Sequence, residues 1–586
     1  MKNKQERILF VGLSGLLCAY IVHRCVLLYE QGTGTFLEKL QYLLKHTHRV
    51  LNPLFHFSFS FASLIGFCCV LLFTGLFALY IAFDDRVYRH GEEFGSAKWG
   101  TRKDIKPFID KQFDNNIIFT ETEQLSMAPR HKIFKYTRNK NVCVIGGAGS
   151  GKTFSFVTPN LLQKYGSYVV SDTKGLILKD TGYIMSQTHK IRVLNLVDRE
   201  TSDYYNPLYY IKTEDDILKV VTNFMQNTAN PDKKGGDEFF DKAETSLYMA
   251  LIGYLLEEAL PEERHFPQVV NLIRSIEVRE DVEDYVSAVD ILFEELALKN
   301  ESSFAVKQYR LFKQATGKTQ KSILISAGVR LAPFDIPSIA SLMSHDTLEL
   351  DKIGDEPTVL YIILPDTDTS YSFISSMLYQ QLFDTLVHKA DTVYRGTLPY
   401  NVICLQDEFA NGGRIPDYDK KIATLRSRGI STNIILQNLT QLKTLYKDSW
   451  ETIVGNCDSF LYLGGMESST HKYVSKEILG KQTIYTTDTS ETKGTNGSWS
   501  KQNKKMGRSL LEPDEVARLS GDKAIYVLRG VRPFLSDKYN ATKHPFYQEL
   551  GSVDDTKWFT YNPIENELGR LVIDESVDLS MIQFEH

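Results

Sequence analysis

This chain of 586 residues lacks closely spaced cysteine pairs, a net positive charge and long apolar runs beyond its amino-terminal part. None of its seven cysteines forms a Cys-x-x-Cys pair, which argues against zinc or redox chemistry and favours buried apolar cysteines. The formal net charge of −6 provides no overall field that attracts nucleic acid, so any contact with DNA must be local. No long apolar run follows residue 83, and the length allows several domains.

Two long apolar segments lie near the amino terminus. As a helix of about 33 Å, residues 8–29 are long enough to cross a hydrocarbon core of about 30 Å. Residues 54–83 form a longer run that carries no charged side chain. A cleaved signal peptide is the alternative for the first run, but no small-residue cleavage site follows it and a second apolar run does. We therefore predict a transmembrane anchor over residues 1–84, with an outer loop at 30–53.

A glycine-rich motif follows the apolar run 142–145 and precedes an amphipathic stretch. It fits the pattern G-x-x-x-x-G-K-[ST] of a P-loop, in which backbone N–H groups surround phosphate oxygens, the lysine adds a positive charge and the hydroxyl binds Mg²⁺. Its residues are Gly146, Gly147, Ala148, Gly149, Ser150, Gly151, Lys152 and Thr153. A plain glycine-rich turn is the alternative, but the strand before and the helix after favour a site for ATP and Mg²⁺.

Charge does not decide the orientation of the anchor, because lysines and arginines flank both spans and also occupy the loop between them. The P-loop decides it, since ATP is cytosolic. Both ends of the chain are therefore predicted to face the cytoplasm.

A second acidic element lies at residues 401–411, where an apolar strand leads into Asp407 and Glu408. Asp407 is placed to bind Mg²⁺, and Glu408 to orient and deprotonate the water that attacks the γ-phosphate. A solvent-facing acidic turn is the alternative. The P-loop on the same chain favours the catalytic interpretation.

Apolar strands alternate with helical stretches through the cytoplasmic part, which predicts a mostly parallel sheet covered on both faces and an α/β fold of the RecA-like type. Ligands of such sheets bind beyond the carboxyl ends of the strands, where Asp172 and Gln437 lie. Gln437 is a candidate for contact with the attacking water or the γ-phosphate, and a simple capping amide fits equally well. The further predicted strands are 167–172, 191–197, 358–366 and 432–438.

Helical periodicity without a clear strand marks residues 213–319 as an all-α insertion between the two parts of the motor domain, 85–212 and 320–560. Residues 485–509 are polar and poor in apolar side chains, and we interpret them as a mobile loop. Its basic residues either touch phosphates or are simply solvated; they are Lys501, Lys504, Lys505 and Arg508. Residues 561–586 form a predicted acidic tail.

Several motifs in this order resemble the conjugative coupling proteins of type IV secretion, the TraG/TraD-like ATPases. The resemblance covers nearly the whole chain, from the two spans onward. Its motifs are VIGGAGSGKT, VVSDTKG, YNPL, FFDKAETSLYMALIGYLL, CLQDEFAN, LRSRGISTNIILQNLTQL and RSLLEPDEVARL. The resemblance implies a DNA-translocating ATPase, assembled as a homo-hexamer and anchored in the bacterial inner membrane. Its implied partners are a relaxase bound to single-stranded DNA and the subunits of a secretion channel, and the all-α insertion is expected to bind DNA-processing partners.

The same resemblance assigns site residues. Lys152 and Thr153 match the lysine and hydroxyl of the family's P-loop, and Gln437 matches its glutamine after the next strand. Asp407 with Glu408 matches its Walker B acids. Arg426, before a glycine turn, is similar to the family's arginine finger. At residues 172–176 the chain has Asp-Thr-Lys-Gly-Leu where the family usually has Asp-Pro-Lys-Gly-Glu, so no role is assigned to the missing acid.

Three other functions compete with this interpretation. An FtsK-like pump for double-stranded DNA shares the motor and the anchor, but the large helical insertion and the lack of a recognisable winged-helix region argue against it. An ABC transporter needs an LSGGQ-like signature before the Walker B strand, whereas the nearest cytoplasmic match, residues 519–522, lies after it. A nucleotide-gated receptor for secreted proteins would not need Glu408.

Overall fold

The computed structural model describes residues 2–50, 52, 58, 60–83, 89–129, 133–229, 238–278, 285–315, 317–491 and 499–563. It divides into two compact units, Met1–Glu93 and Phe94–His586. The predicted acidic tail from residue 564 onward lies outside the described residues, as do residues 53–57 at the start of the second predicted span.

The described residues of the amino-terminal unit form the α-helices α1 (Lys2–Gln31), α2 (Phe36–Lys45) and α3 (Phe61–Phe83). By length and composition, two segments are suited to cross a membrane, Gln5–Gln31 and Phe61–Phe83. The helices α1 and α3 pack against each other. The buried guanidinium of Arg24 on α1 donates hydrogen bonds to backbone carbonyls after α2, so its polar groups are satisfied within the unit.

The second unit is built around one large sheet and two small hairpins. Its strands are β1 (Asn116–Ile118), β2 (Gln124–Ser126), β3 (Val142–Ile145), β4 (Ser167–Asp172), β5 (Lys190–Asn195), β6 (Thr358–Ile363), β7 (Val402–Gln406), β8 (Ile430–Leu436), β9 (Ser459–Tyr462), β10 (Lys481–Glu491), β11 (Trp499–Ser509), β12 (Lys523–Leu528) and β13 (Phe534–Asp537).

The nine strands of the large sheet follow the order β13-β12-β9-β3-β8-β7-β4-β6-β5. The seven from β9 to β5 are parallel, while β12 is antiparallel to both of its neighbours. Every residue of β3 is buried, with Cys143 and Ile145 in one hydrophobic core and Val142 and Val144 in another. Both faces of the sheet are therefore covered, which confirms the predicted α/β architecture.

The described residues of the second unit also form α-helices. They are α4 (Arg102–Ile105), α5 (Thr158–Leu162), α6 (Leu176–Ser186), α7 (Glu214–Asn227), α8 (Glu238–Glu258), α9 (Phe266–Arg274), α10 (Ala288–Lys299), α11 (Phe304–Phe312), α12 (Gly317–Arg330), α13 (Pro337–Leu342), α14 (Ser372–Thr392), α15 (Tyr418–Leu425), α16 (Leu439–Tyr446), α17 (Trp450–Gly455), α18 (Ser468–Tyr473) and α19 (Pro513–Ala517).

The helices α7 to α13 lie between β5 and β6, and the described residues there contain no strand. This helical run continues to Leu342, and the boundaries predicted at residues 212 and 319 stay predictions. A buried ion pair fixes α8 to α12: Nε of Arg330 lies 2.7 Å from Oε1 of Glu244, which is 1% exposed. Burial of such a pair ties the two helices, because Glu244 alone would be a buried charge without a cation and Arg330 would keep only the exposed Asp241, at 3.4 Å.

The prediction of a mobile loop at residues 485–509 is wrong. The structure places β10 and β11 there as an antiparallel ribbon, in register from Lys481 opposite Ser509 to Glu491 opposite Trp499. Threonine, isoleucine and tyrosine in β10 favour extended backbone. A two-stranded ribbon with both faces in solvent needs no apolar face, so a polar composition does not distinguish it from a loop. Residues 492–498, between the strands, lie outside the described residues.

Candidate active site

The P-loop is held between the carboxyl ends of two strands. The N–H of Gly146 donates to the carbonyl of Leu436 at the end of β8, at 3.0 Å, and the N–H of Gly147 donates to the carbonyl of Gly464 after β9, at 2.8 Å. A Cβ on Gly146 would lie 2.3 Å from Oγ of Ser150. A side chain at this first position of the loop would therefore displace the Ser150 hydroxyl.

The interior of the loop has the features of a phosphate cradle. Gly149 and Gly151 have φ values of +73° and +82°, which favour glycine, and no atom lies within 4 Å of a Cβ placed on Gly149. The hydroxyl of Ser150 is buried and has no hydrogen-bond partner among the described residues. An orphaned donor beside open glycine backbone fits the oxygens of a nucleotide's phosphates.

The helix after the P-loop begins with a π-helical turn, Thr153–Val157, before α5. Pro159 explains this opening, because a proline has no N–H and its ring clashes with the carbonyl four residues earlier. The N–H of Thr158 therefore bonds to the carbonyl of Thr153, five residues back. The sequence predicted a helix here but not its wider first turn.

Lys152, Glu408 and Gln437 form one hydrogen-bonded cluster at this edge of the sheet. The ammonium of Lys152 donates to the carbonyl of Gly146 at 3.0 Å and lies 3.3 Å from Oε1 of Glu408. The amide of Gln437 donates to Oε2 of Glu408 at 3.0 Å. With Lys152 and Glu408 only 8% and 15% exposed, this cluster is shielded from water. Gln437, predicted at the carboxyl end of its strand, thus lies beside Glu408.

Thr153 and Asp407 meet on the other side of the lysine. The Thr153 hydroxyl donates to Oδ2 of Asp407 at 3.0 Å. Burial raises the pKa of Asp407, and the neighbouring Glu408 raises it further, whereas the Thr153 hydroxyl and the Lys152 ammonium act in the opposite direction. A hydroxyl and a carboxylate side by side are the oxygen donors that Mg²⁺ prefers, so these two residues fit the predicted metal site.

The backbone of Glu408 lies in the left-handed region, with φ 49° and ψ 50°. This conformation costs a residue with a side chain about 1–2 kcal/mol, and such strain is concentrated at functional sites. The chain turns sharply here, directly after β7, and this turn brings the carboxylate towards Lys152 and Gln437.

The surroundings of Asp172, at the end of β4, differ from those of Asp407 and Glu408 after β7. Its buried carboxylate accepts hydrogen bonds from the N–H groups of Lys174 and Leu178, at the start of α6. Burial raises its pKa, and these backbone donors partly offset the rise. The structure therefore gives Asp172 the role of a helix cap.

Arg426 lies at the opposite edge of the sheet from the P-loop. It precedes the amino end of β8, and the seven residues of that strand span about 23 Å. Arg426 lines a cavity of about 570 Å³ together with Arg138 and Lys140. Burial, and then the charge of Arg426, lowers the pKa of Lys140 to about 8. Several cations thus surround one cavity, which favours an anionic occupant.

Arg428 differs from its neighbour Arg426. Its guanidinium makes a bidentate pair with the carboxylate of Asp391, with Nε to Oδ1 at 3.0 Å and Nη2 to Oδ2 at 2.8 Å. The structure therefore holds Arg428 in an ion pair with Asp391.

Two contacts of the P-loop were missed from the sequence. Gly464 and Gly465 follow β9 and pack against Gly147, and the Gly-Gly pair after an apolar run was a signal for them. The ammonium of Lys538 donates to the carbonyl of Ser150 at 2.7 Å. No local signal marks this lysine, because it lies 388 residues further along the chain.

Comparison with known proteins gives one family. The model of the type IV secretory system conjugative DNA transfer family matches residues 98–555. Conjugal transfer protein TraG of Escherichia coli is 24% identical over 468 residues, which cover 73% of this chain and 71% of the relative.

Two solved structures share the fold. The bacterial conjugative coupling protein TrwBdeltaN70, in an unbound form, gives a TM-score of 0.54 at 16% identity and covers 78% of this chain and 99% of its own. TrwB in complex with ADP and Mg²⁺ gives 0.52 at 15% identity, with 76% and 96% covered. The family match extends over most of the chain and includes the P-loop, the acids after β7 and Gln437. This chain therefore belongs to the type IV secretory system conjugative DNA transfer family, as a coupling protein of the TraG type.

Proposed function

We propose that this chain is an inner-membrane ATPase that couples a relaxase bound to single-stranded DNA to a type IV secretion channel. ATP hydrolysis by its cytoplasmic motor domain drives the DNA transfer of conjugation. The observation that carries this proposal is the single cluster formed by Lys152, Thr153, Asp407, Glu408 and Gln437 in a chain of the conjugative DNA transfer family.

ATP is the substrate, and its phosphates bind in the P-loop. The N–H groups of residues 151–153 and the hydroxyl of Ser150 supply donors, and Lys152 supplies the positive charge nearest to the transferred group. Thr153 and Asp407 would hold Mg²⁺, which when bound neutralises negative charge on the phosphates. The TrwB structure with ADP and Mg²⁺ supports this choice of ligands.

Glu408 is the proposed general base. Gln437 holds one of its oxygens at 3.0 Å and Lys152 approaches the other at 3.3 Å, so the carboxylate is oriented from both sides. When Lys152 turns towards a phosphate, Glu408 loses this ion pair and becomes available to accept a proton from water. Gln437 stays as the group that couples the carboxylate to β8.

Arg426 is proposed to act on the site of a neighbouring copy in a homo-hexamer. About 23 Å of β8 separate it from its own P-loop, a distance that no arginine side chain reaches. The cations Arg138 and Lys140 beside it favour the approach of a phosphate-bearing partner. A ring with head-to-tail contacts would bring this edge of one copy to the P-loop of the next.

Membrane attachment and partner binding are assigned to the remaining parts. The two long apolar helices anchor the chain, with the motor domain on the cytoplasmic side because its substrate ATP is there. The helical insertion between β5 and β6 lies outside the order of the motor's motifs, and we assign it the recognition of the relaxase complex.

The test uses the cytoplasmic part, starting at residue 84, with ATP and oligonucleotides. Hydrolysis stimulated more by single-stranded than by double-stranded DNA is expected. A preference for duplex would instead favour an FtsK-like pump, and full hydrolysis without any response to DNA would favour a receptor for secreted proteins.

Glu408→Gln separates binding from chemistry. The amide keeps the shape of the carboxylate and its contact with Gln437 but cannot accept the proton, so ATP should bind with normal affinity while turnover falls by at least about 100-fold. Asp417→Asn is the matched control, since Asp417 is also at positive φ but is 64% exposed. Near-normal turnover in Glu408→Gln would refute the assigned base.

A further inference from the structure

The base of the ribbon of β10 and β11 is hydrogen-bonded to the segment at the start of the motor domain. There the N–H of Ala97 donates to the carbonyl of Lys481 at 3.0 Å, and the N–H of Phe94 donates to the hydroxyl of Thr483 at 3.0 Å. A Cβ on Gly507 would lie 2.9 Å from Cβ of Phe94, so the two segments touch closely. This base fixes the direction of the ribbon, while Tyr485, Thr487 and Asp488 on β10 and residues 501–506 on β11 are exposed.

Because side chains alternate along each strand, the register defines two faces. We call one the tyrosine face, formed by Tyr485, Thr487, Lys501, Asn503 and Lys505. We call the other the ion-pair face, formed by Ile484, Thr486, Asp488, Lys504 and Met506.

Both faces of the ribbon carry positive charge. On the ion-pair face, Nζ of Lys504 lies 2.9 Å from Oδ2 of Asp488. On the tyrosine face, Nζ of Lys505 lies 5.4 Å from the centre of the Tyr485 ring, and that ring is 65% exposed. Lys501 is exposed on the same face, about 13 Å further along the strand. The tyrosine face thus combines an open aromatic ring with two ammonium groups.

The ribbon is basic in a chain that is acidic overall. Its two strands contain five basic and two acidic residues, a net charge of +3, whereas the whole chain has −6. Such a local concentration of positive charge is complementary to a polyanion.

We propose that the tyrosine face binds the single-stranded DNA that the motor moves, with a base stacked on Tyr485 and phosphates bound by Lys505 and Lys501. This inference rests on the proposed function. An aromatic ring with flanking cations is how proteins bind unpaired bases without sequence preference. Between Tyr485 and Lys501 the face offers polar Thr487 and Asn503, joined by a hydrogen bond of 3.0 Å.

The test measures the affinity of the full-length chain, in lipid nanodiscs, for a fluorescent oligothymidylate of about 30 nucleotides over a range of salt concentrations. Lys505→Thr should make the slope of log affinity against log salt shallower by about 0.7, the loss of one phosphate contact. Lys504→Thr is the matched control, since it removes the same charge from the adjacent residue on the ion-pair face and should leave the slope unchanged.

Tyr485 provides an independent measurement. Tyr485→Thr should weaken binding of the oligothymidylate on the order of ten-fold at every salt concentration, because stacking is not screened. Tyr485→Phe keeps the ring and should restore the affinity, which separates stacking from a general disturbance of the ribbon. Binding of a non-hydrolysable ATP analogue should be the same in all variants.

The outcomes are distinguishable. Equal effects of Lys504→Thr and Lys505→Thr, or unchanged affinity in Tyr485→Thr, would overturn the assignment of the face while the wild-type chain still binds DNA. No binding of single-stranded DNA by the wild-type chain would instead overturn the proposed function. A photoreactive group on Thr487→Cys should label the oligonucleotide, with Thr486→Cys as the control. Labelling of lipid in its place would assign the face to the membrane surface and refute the proposal.

Discussion

Arg426→Ala tests the inference that the amino edge of the sheet serves the active site of another copy. The side chain is exposed, and the structure gives it a place in the wall of a cavity rather than in the core. Its removal should therefore leave folding, ATP binding and assembly intact. Only hydrolysis should change.

The expected magnitude follows from the position of the residue. A guanidinium that stabilises the charge developing on a transferred phosphoryl group contributes about 10³ to 10⁵ in rate, or about 4–7 kcal/mol in the barrier. With about 23 Å of β8 between Arg426 and its own P-loop, none of this effect is available within one chain.

Mixing two inactive variants provides the decisive assay. Lys152→Ala has no functional P-loop but keeps Arg426. Arg426→Ala keeps a functional P-loop but lacks the arginine. In a ring of randomly assorted copies, about a quarter of the interfaces would pair an intact P-loop with an intact arginine, so about a quarter of the wild-type activity should return. Phosphate release is measured on mixtures whose mixed assembly has been verified by mass.

Two results would refute the reasoning. Wild-type turnover by Arg426→Ala alone would exclude any catalytic role for the residue. No recovery of activity in verified mixed rings would exclude action on a neighbour. Arg428→Ala is the matched control, because its guanidinium is held by Asp391 and its loss should leave hydrolysis unchanged.

Three further outcomes are expected. Gly146→Ala should weaken binding of ATP at least ten-fold, because the new Cβ would lie 2.3 Å from Oγ of Ser150; Gly521→Ala, with open space around it, is the control for calorimetry. The pKa of Lys140 is lowered to about 8, so the folded protein releases this proton at a lower pH than the unfolded chain, and the free energy of unfolding should rise between pH 8 and about 10. In Lys140→Met this rise should be smaller. Urea titrations at several pH values measure it, and an equal rise in the wild type and in Lys140→Met would contradict the reasoning. Glu244→Leu should lower the free energy of unfolding by about 3–5 kcal/mol, since it removes the buried partner of Arg330 and leaves only the exposed Asp241, and adding Arg330→Met should restore most of this loss.

Local pattern was enough to predict the framework of the motor domain. Strand β4 has the predicted bounds, and β6, β7 and β8 begin or end within three residues of the predicted ones. Continuous apolar runs of four to seven residues must be buried on both faces, and a glycine-rich turn after such a run leaves few alternatives. The same reasoning failed for β10 and β11, because a ribbon open to solvent on both faces has no apolar periodicity to detect.

The arrangement of the active site depended on tertiary structure. Thr153 and Asp407 lie 254 residues apart and meet at 3.0 Å only because β3 and β7 both pair with β8 in a parallel sheet. The contact of Lys538 with the P-loop and the distance between Arg426 and its own P-loop are likewise consequences of strand order. The spacing of residues along the chain does not tell which strands will have neighbouring carboxyl ends. The order and the hydrogen-bonded register of the strands decide which side chains meet there.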